Sequence, residues 1–142
     1  MTETDFDIAL TDAPPATLRD ELGHGLRALN IELLGPIDGA PLAITIRLKD
    51  GTLLGGLYGR TGFRRLFVEL LFISETLRGK GLGTKLLQQA EAEAKRRNCL
   101  GAWLETLNAD AKRVYERNGY RVFGEIPDYP PGNTRYFLSK NF

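Results

Sequence analysis

A glycine-rich turn separates a continuous apolar run from a long amphipathic segment in this sequence of 142 residues. The turn reads Arg78-Gly79-Lys80-Gly81-Leu82-Gly83-Thr84. Glycine lets a backbone approach a ligand closely, and the free N–H groups and dipole of a following helix attract an anion. Arg78 and Lys80 add positive charge beside those groups. We therefore predict a site for a phosphate or pyrophosphate at this turn.

The spacing of the glycines separates several kinds of phosphate site. The dinucleotide pattern G-x-G-x-x-G fails, because Thr84 or Leu86 stands where the last glycine is required. The P-loop pattern fails because Gly81 follows Lys80, where that pattern needs serine or threonine. The turn matches R-x-x-G-x-G instead, at Arg78, Gly81 and Gly83. Taken alone, this short pattern is also compatible with a turn that binds nothing.

A second constellation follows after room for one helix and one strand. It reads Asn108-x-x-Ala111-x-x-x-Tyr115-x-x-x-Gly119-Tyr120, with Asn108 placed to begin a helix and Gly119 placed to end it. Together the two motifs resemble the GNAT superfamily of acyl-CoA N-acyltransferases. The resemblance spans most of the chain, because the order of the expected elements agrees as well.

This resemblance implies acetyl-CoA as the cosubstrate. In the family the first motif holds the pyrophosphate of coenzyme A, and the second flanks its pantetheine arm. The two central strands splay apart at a bulge, and the exposed backbone groups pair with the pantetheine amides, since buried backbone groups must find partners. A main-chain N–H near Leu71 or Phe72 would polarise the thioester carbonyl. The coenzyme-binding positions that the resemblance implies are Leu71, Phe72, Ile73, Arg78, Gly79, Lys80, Gly81, Leu82, Gly83, Thr84, Asn108 and Tyr115.

Transfer of an acyl group from a thioester to an amine requires a base, because an ordinary alkylamine is protonated at neutral pH. Glu69 is the only ionisable residue of the apolar run Leu66–Ile73, where loss of hydration would disfavour its charged form. The alternative role is a structural ion pair with Arg47, Arg64 or Arg65. The family glutamate most often used as base stands two residues earlier, at the position of Phe67. A bulge between the two positions would change which face each side chain occupies.

Tyr115 occupies the position of the family tyrosine that donates a proton to the departing thiolate. The alternative is a core tyrosine, which would explain the ring without requiring the hydroxyl. The full motif favours the catalytic role.

The resulting hypothesis is an N-acetyltransferase that moves an acetyl group from acetyl-CoA to a primary amine of a small molecule or peptide, by direct attack on the thioester. The alternative is a non-catalytic acyl-CoA-binding or regulatory module on the same fold. Tyrosine and arginine side chains that could line the acceptor pocket favour a polar or anionic acceptor, although the same residues could seal a homodimer. They are Tyr58, Arg60, Tyr129, Arg135 and Tyr136.

Composition narrows the classes of partner. The 19 Lys and Arg residues against 18 Asp and Glu residues give a net charge of +1, which argues against a nucleic-acid-binding protein. The single histidine, His24, and the single cysteine, Cys99, argue against a disulfide framework or a Cys/His metal site. No signal sequence or membrane-spanning run is evident in the sequence. We expect a cytoplasmic protein with no metal and no membrane partner.

The chain length favours one domain, which we expect over residues 1–142. The resemblance implies an α/β (α+β) fold of the GNAT type, in which helices flank a mixed, mostly antiparallel twisted sheet that is splayed between its central strands. Periodicity places the elements along the chain. The implied order begins with a strand, for which Phe6–Leu10 is the apolar candidate. A leucine stripe predicts the next helix, and Gly23 and Gly25 allow a break near His24. The later elements are a hairpin (42–48 and 53–58), the central strand (66–73), a helix (81–97), a strand (102–106), a helix from 108 and two strands (120–126 and 134–138).

Overall fold

The computed structural model describes residues 5–142, and the chain divides into two compact units, residues 1–37 and residues 38–142. The first unit contains helix α1 (Leu18–Leu34). This helix is continuous through His24, so the expected break does not occur, although each glycine costs about 1 kcal/mol of helix stability. The expectation of a strand at Phe6–Leu10 is wrong: these residues form no regular secondary structure. Residues 5–37 contain no strand with which they could pair, and a lone strand would leave its backbone groups unpaired.

The second unit is a single six-stranded sheet with helices, in the strand order β1-β2-β3-β4-β6-β5. Only the central β3–β4 pair is parallel, which confirms the predicted mixed and mostly antiparallel sheet. The strands are β1 (Ala40–Arg47), β2 (Leu53–Gly62), β3 (Arg65–Ile73), β4 (Gly101–Thr106), β5 (Arg121–Pro127) and β6 (Thr134–Asn141), and the helices are α2 (Leu82–Arg96) and α3 (Ala109–Arg117).

The core lies where α2 crosses the sheet between the two parallel strands. The apolar side chains Leu86, Leu87, Ala90 and Ala94 form a buried face of α2, and Leu87 and Ala94 are fully shielded from solvent. This face packs against leucine and valine side chains that alternate along the strands, and each fully buried leucine contributes about 1.5–3 kcal/mol. Those strand residues are Leu42, Leu57, Leu66, Val68, Leu104 and Leu138.

The C-terminal end of α2 is fastened to the outer strands by Arg97. Its Nη1 donates to the carbonyl oxygen of Pro41 at 3.1 Å and to the hydroxyl of Thr61 at 3.0 Å. Its Nε donates to Glu93 at 3.0 Å. One guanidinium therefore joins helix α2 to β1 and β2, which fixes the direction in which α2 runs over the sheet.

The central strands part at a bulge in β3. Tyr58 of β2 pairs with Leu70, but its neighbour Gly59 pairs with Val68, so Glu69 is the extra residue. Pairing between β3 and β4 also ends at Val68, opposite Leu104. The five residues of β3 beyond that point have no partner on β4, which confirms the predicted splay.

Substitution of Gly59 is expected to destabilise the bulge. A Cβ atom added there would overlap the carbonyl oxygen of Phe67, which is backbone and cannot rotate away. We expect Gly59→Ala to lower the free energy of unfolding by about 1–3 kcal/mol in a urea titration. The matched control is Gly62→Ala on the same strand, where the nearest atom lies 3.7 Å from the new Cβ and the change should stay within about 0.5 kcal/mol. Equal stabilities of the two variants would contradict this account.

Candidate active site

A cavity of about 370 Å³ opens beside the glycine-rich turn, and we call it the glycine-loop cavity. The turn adopts left-handed backbone at Gly79 (φ +76°) and Gly81 (φ +72°), a conformation that favours glycine. No side chain caps α2, so the first-turn N–H groups remain available to a ligand. The lining residues are Leu71, Ile73, Leu77, Arg78, Gly79, Gly81, Leu82, Gly83, Thr84, Asp110, Ala111, Val114, Tyr115 and Arg117.

Two arginines give this cavity its positive charge. Arg78 is held across the end of β3, where its Nε donates to the carbonyl oxygen of Ile73 at 3.1 Å. Arg117, which sequence reasoning missed, extends from the end of α3. It occupies a variable position of the second motif, so the motif gave no signal for it. Lys80 and Phe72 are predicted site residues that line neither this cavity nor its neighbour described below.

Helix α3 begins at the predicted residue. The Asn108 side chain accepts hydrogen bonds from the backbone N–H groups of Asp110 (2.8 Å) and Ala111 (3.2 Å). Such a cap contributes about 1 kcal/mol and sets the first turn of the helix. The asparagine of the motif therefore has a structural function here in addition to its place at the cavity wall.

The other end of α3 closes on Gly119, as predicted. Gly119 has φ +91°, and its N–H donates to the carbonyl of Glu116 at 3.0 Å. The N–H of Tyr120 donates to the carbonyl of Tyr115 at 3.1 Å. These two bonds form a Schellman motif, which needs glycine at the left-handed position. Because both ends of α3 are capped, the helix holds Tyr115 in a fixed position relative to the two cavities.

Asn118 joins the two helices that flank the glycine-loop cavity. Its Nδ2 donates to the hydroxyl of Thr84 at 3.0 Å and to the carbonyl of Val114 at 2.8 Å. The contact spans from the end of α3 to the first turn of α2. It therefore fixes the width of the cavity between them, a function that no sequence pattern indicated.

Tyr115 lies at the junction of two cavities. Only 7% of the residue is exposed, and burial raises the pKa of its phenol, so the hydroxyl is protonated at neutral pH. Within residues 5–142 no group hydrogen-bonds to that hydroxyl. A buried phenol with an uncommitted proton is equipped to donate it to a charge that develops nearby.

Tyr120 supports Tyr115 from within the core. The two rings meet edge to face, with 6.2 Å between their centroids. The Tyr120 hydroxyl donates to Glu91 at 3.2 Å, and Lys140 donates to the same carboxylate at 2.6 Å. Burial, followed by the charge of Glu91, raises the pKa of Tyr120 far above its usual range. The buried carboxylate is thus paired and hydrogen-bonded, as burial requires.

The second cavity, of about 460 Å³, lies between the parted strands, and we call it the splay cavity. Glu69 lines it with a side chain that is 46% exposed, because the bulge turns it to the open face of the sheet. The expected loss of hydration around this carboxylate is therefore wrong. Its ion-pair partner is Arg60, at 3.9 Å, and not Arg47, Arg64 or Arg65. The cavity is lined by Val68, Glu69, Leu70, Leu71, Glu105, Thr106, Leu107, Asn108, Ala111, Tyr115 and Arg135.

A second carboxylate, Glu105, lines the splay cavity from β4 and was missed by sequence reasoning. Arg135 Nη1 donates to it at 3.1 Å, and the guanidinium lies 4.1 Å over the ring of Tyr129. Among the described residues, the buried Nε of Arg135 has no hydrogen-bond partner, a deficit that costs about 1–3 kcal/mol. The signal for Glu105 was the one that identified Glu69: a lone carboxylate in a short apolar strand.

Aromatic rings cover the face of the sheet beside the splay cavity, where β3 and β4 are still paired. Phe67 stacks on Trp103 with 4.1 Å between ring centroids, and the guanidinium of Arg60 lies 4.8 Å over Phe67. Phe67 fills the position where the family most often has its glutamate. In this chain that position forms the floor beside the splay and carries no acid–base group.

Other features of the structure lie away from these motifs. A groove of about 690 Å³ runs between β1 and the C-terminal half of α2, and none of the motif residues lines it. In the described part of the chain no cluster of three or more metal-ligating side chains occurs. No helix among residues 5–142 is long and apolar enough to span a membrane.

Comparison with known proteins decides the family. The sequence matches the Acetyltransferase (GNAT) family over residues 11–120, which is more than half of the chain. This chain belongs to that family. GNAT acetyltransferases use acetyl-CoA as the acyl donor. The two motifs that suggested the family from sequence lie at the two cavities.

Two relatives extend this finding over nearly the whole GNAT chain. An acetyltransferase of Agrobacterium fabrum is 39% identical over 137 residues, which are 96% of this chain and all of the relative. Blasticidin-S acetyltransferase of Streptomyces morookaense is 38% identical over 128 residues, covering 87% of this chain and 93% of that protein. A crystal structure from Agrobacterium tumefaciens, 39% identical, covers 96% of this chain and 100% of its own with a TM-score of 0.93. These matches confirm the GNAT fold.

Alkaline pH is expected to destabilise this acetyltransferase through Tyr115 and Tyr120. Their raised pKa values mean that, above about pH 10, the unfolded chain releases phenol protons that the folded chain retains. Because the folded pKa of Tyr120 lies far above this range, the free energy of unfolding then falls by up to about 1.4 kcal/mol per pH unit through Tyr120, and Tyr115 contributes with the same sign. We expect Tyr120→Phe to make this decrease less steep by up to about 1.4 kcal/mol per pH unit in urea titrations between about pH 10 and pH 11. Identical slopes for the wild type and the variant would contradict this expectation.

Proposed function

We propose that this GNAT acetyltransferase moves an acetyl group from acetyl-CoA to a primary amine of a small molecule, by direct attack of the amine on the thioester. The observation that carries the proposal is the position of Tyr115. This residue lines both the glycine-loop cavity and the splay cavity, and its hydroxyl has no hydrogen-bond partner among residues 5–142. A reaction that joins a donor in one cavity to an acceptor in the other would pass this side chain.

The donor would lie in the glycine-loop cavity. The pyrophosphate of coenzyme A would accept hydrogen bonds from the uncapped N–H groups of α2, with Arg78 and Arg117 balancing its charge. The pantetheine arm would run along residues 71–73 of β3, whose backbone has no partner on β4. Extended amide groups suit such an edge, because they supply the missing hydrogen bonds.

The acceptor amine would attack from the splay cavity. Its nitrogen forms a bond to the thioester carbonyl carbon while Glu69, directly or through a water, takes the proton that the ammonium must lose. A free N–H of β3 near Leu71 stabilises the oxyanion, and collapse of the intermediate breaks the carbon–sulfur bond. Tyr115 gives its proton to the sulfur. The partial exposure of Glu69 suits a base that exchanges its proton with solvent after each turnover.

The choice of a small-molecule acceptor is supported by relatedness. A relative that aligns with 87% of this chain acts on blasticidin S. The alternative, a non-catalytic module that only binds acyl-CoA, predicts coenzyme A binding without turnover. Release of coenzyme A in the presence of a panel of amines separates the two functions.

Gly83→Val tests the donor site at a position where the backbone has space for a Cβ atom. The added Cβ would lie 3.9 Å from Val114, an ordinary contact, and Gly83 has an ordinary backbone conformation in the first turn of α2. The branched side chain would stand between the helix N–H groups and the pyrophosphate, so we expect the Kd for coenzyme A to rise at least about tenfold. Calorimetry measures this Kd.

The control for that experiment is Gly124→Val on β5. Gly124 lines neither cavity, and the nearest atom to its added Cβ would lie 4.0 Å away. This variant should bind coenzyme A as the wild type does. Unweakened binding by a folded Gly83→Val protein would place the pyrophosphate elsewhere.

Tyr115→Phe tests the acid. The change keeps the ring and deletes a hydroxyl that has no hydrogen-bond partner among residues 5–142, so the melting temperature should hold. General-acid catalysis contributes about 10²–10⁴-fold, and water at the sulfur would replace part of it. We expect kcat to fall at least about tenfold with little change in the Kd for coenzyme A. Wild-type turnover by the folded variant would return Tyr115 to a packing role.

A further inference from the structure

We propose that the acceptor is an amine that also carries a carboxylate, and that Arg135 binds this carboxylate. The inference rests on the proposed function, since it names the class of molecule that enters the splay cavity. It comes from the arrangement of charges around that cavity and from one hydrogen-bond donor that has no partner.

Two carboxylates, Glu69 and Glu105, and one guanidinium, that of Arg135, line the splay cavity. Glu105 is paired with Arg135, and Glu69 is paired with Arg60 of β2, which lies outside the lining. Each guanidinium also lies over an aromatic ring. Because each carboxylate already has a guanidinium partner, the cavity has only a weak field to concentrate a polycation. A zwitterion suits this surface better than a polyamine, because it presents a charge of each sign.

The two guanidiniums differ in how they are held. Arg60 is 60% exposed and 3.9 Å from its carboxylate, so water screens it. Arg135 is only 23% exposed and 3.1 Å from Glu105, with Tyr129 covering one face. A shielded guanidinium on a rigid support binds a substrate anion more selectively than an exposed one. Arg135 is therefore the better candidate for recognising an anionic group.

The edge of Arg135 that contains Nε is unused. Its contact with Glu105 uses Nη1, and Nε has no partner among the described residues although it is buried. An arginine can bind a carboxylate with two parallel hydrogen bonds through Nε and a neighbouring Nη. A carboxylate on the acceptor would complete that pair once a shift of the partly exposed Arg135 side chain opens Nε to the cavity. The amine of the same molecule would then face the splay, on the side of Glu69.

The test uses amines that differ at one group. Arginine, arginine amide and agmatine share a side chain and differ in having a carboxylate, a carboxamide or hydrogen beside the amine, and phenylalanine with phenethylamine forms a second set. The measurement is kcat/KM from coenzyme A release, expressed as the preference for the carboxylated member of each set. We expect the wild type to prefer that member.

Variants then separate recognition from mere ion pairing. Arg135→Gln should lower the preference at least about tenfold, the effect expected for losing charge-assisted hydrogen bonds. Arg135→Lys keeps the positive charge but loses the planar pair of donors. Its preference for the carboxylated amine should therefore lie between those of the wild type and Arg135→Gln. Glu105→Gln should leave the preference intact or raise it, because it frees Arg135. The control is Arg121→Gln, an exposed arginine of β5 outside the cavity, which should match the wild type. Differences in amine basicity cancel when the preference of each variant is divided by that of the wild type, because all proteins are tested with the same substrates.

The outcomes are distinguishable. Turnover with no preference for a carboxylate, or a preference that Arg135→Gln leaves unchanged, would overturn the inference and leave the proposed acetyl transfer standing. A fall in preference of equal size for Glu105→Gln and Arg135→Gln would show that Arg135 only anchors Glu105, and would also overturn it. Binding of coenzyme A with no release from acetyl-CoA for any of these amines would overturn the inference together with the proposed function.

Discussion

Hydrogen bonding between β3 and β4 stops after Val68 and Leu104, and this interruption determines where the rest of the site can lie. A bulge at Glu69 bends β3 away from its parallel partner, so the backbone beyond it needs partners from outside the sheet. Helices α2 and α3 cover one side of the opening. The other side exposes the bulged carboxylate. Under the proposed function, one extra residue in one strand would thus create both an edge for the donor and an entrance for the acceptor.

The opening would be of little use without rigid walls. Helix α3 is capped at its start by Asn108 and closed at its end by Gly119, and Asn118 ties it to α2. Tyr120 supports the Tyr115 ring from a buried network that includes Glu91. These contacts are short-range and act on separate atoms, so the phenol is positioned by several constraints that do not depend on any ligand.

The sequence predicted what is encoded locally. The family resemblance of the two motifs, the capping residues of α3 and the helix α2 all depend on local spacing, and they were confirmed. The binding and catalytic roles of the motif residues stay predictions. The partner of Glu69 could not be predicted, because Arg60 reaches it only through a strand register that the bulge shifts. Arg135 meets Glu105 across strands that are not consecutive in sequence. The strand expected at Phe6–Leu10 failed because an apolar stretch specifies no strand without a neighbour to pair with.

The alternation of side chains along β3 after the bulge has a consequence for how such an enzyme could diversify. Ile73 lines the glycine-loop cavity, Glu69 and Leu70 line the splay cavity, Leu71 lines both, and Phe72 is exposed. Under the proposed function, neighbouring positions of one short segment would therefore contact different small molecules. Mutation at one set of positions can alter which molecule is modified while the other set continues to hold the common cosubstrate, so a new specificity can arise by single steps without loss of the donor.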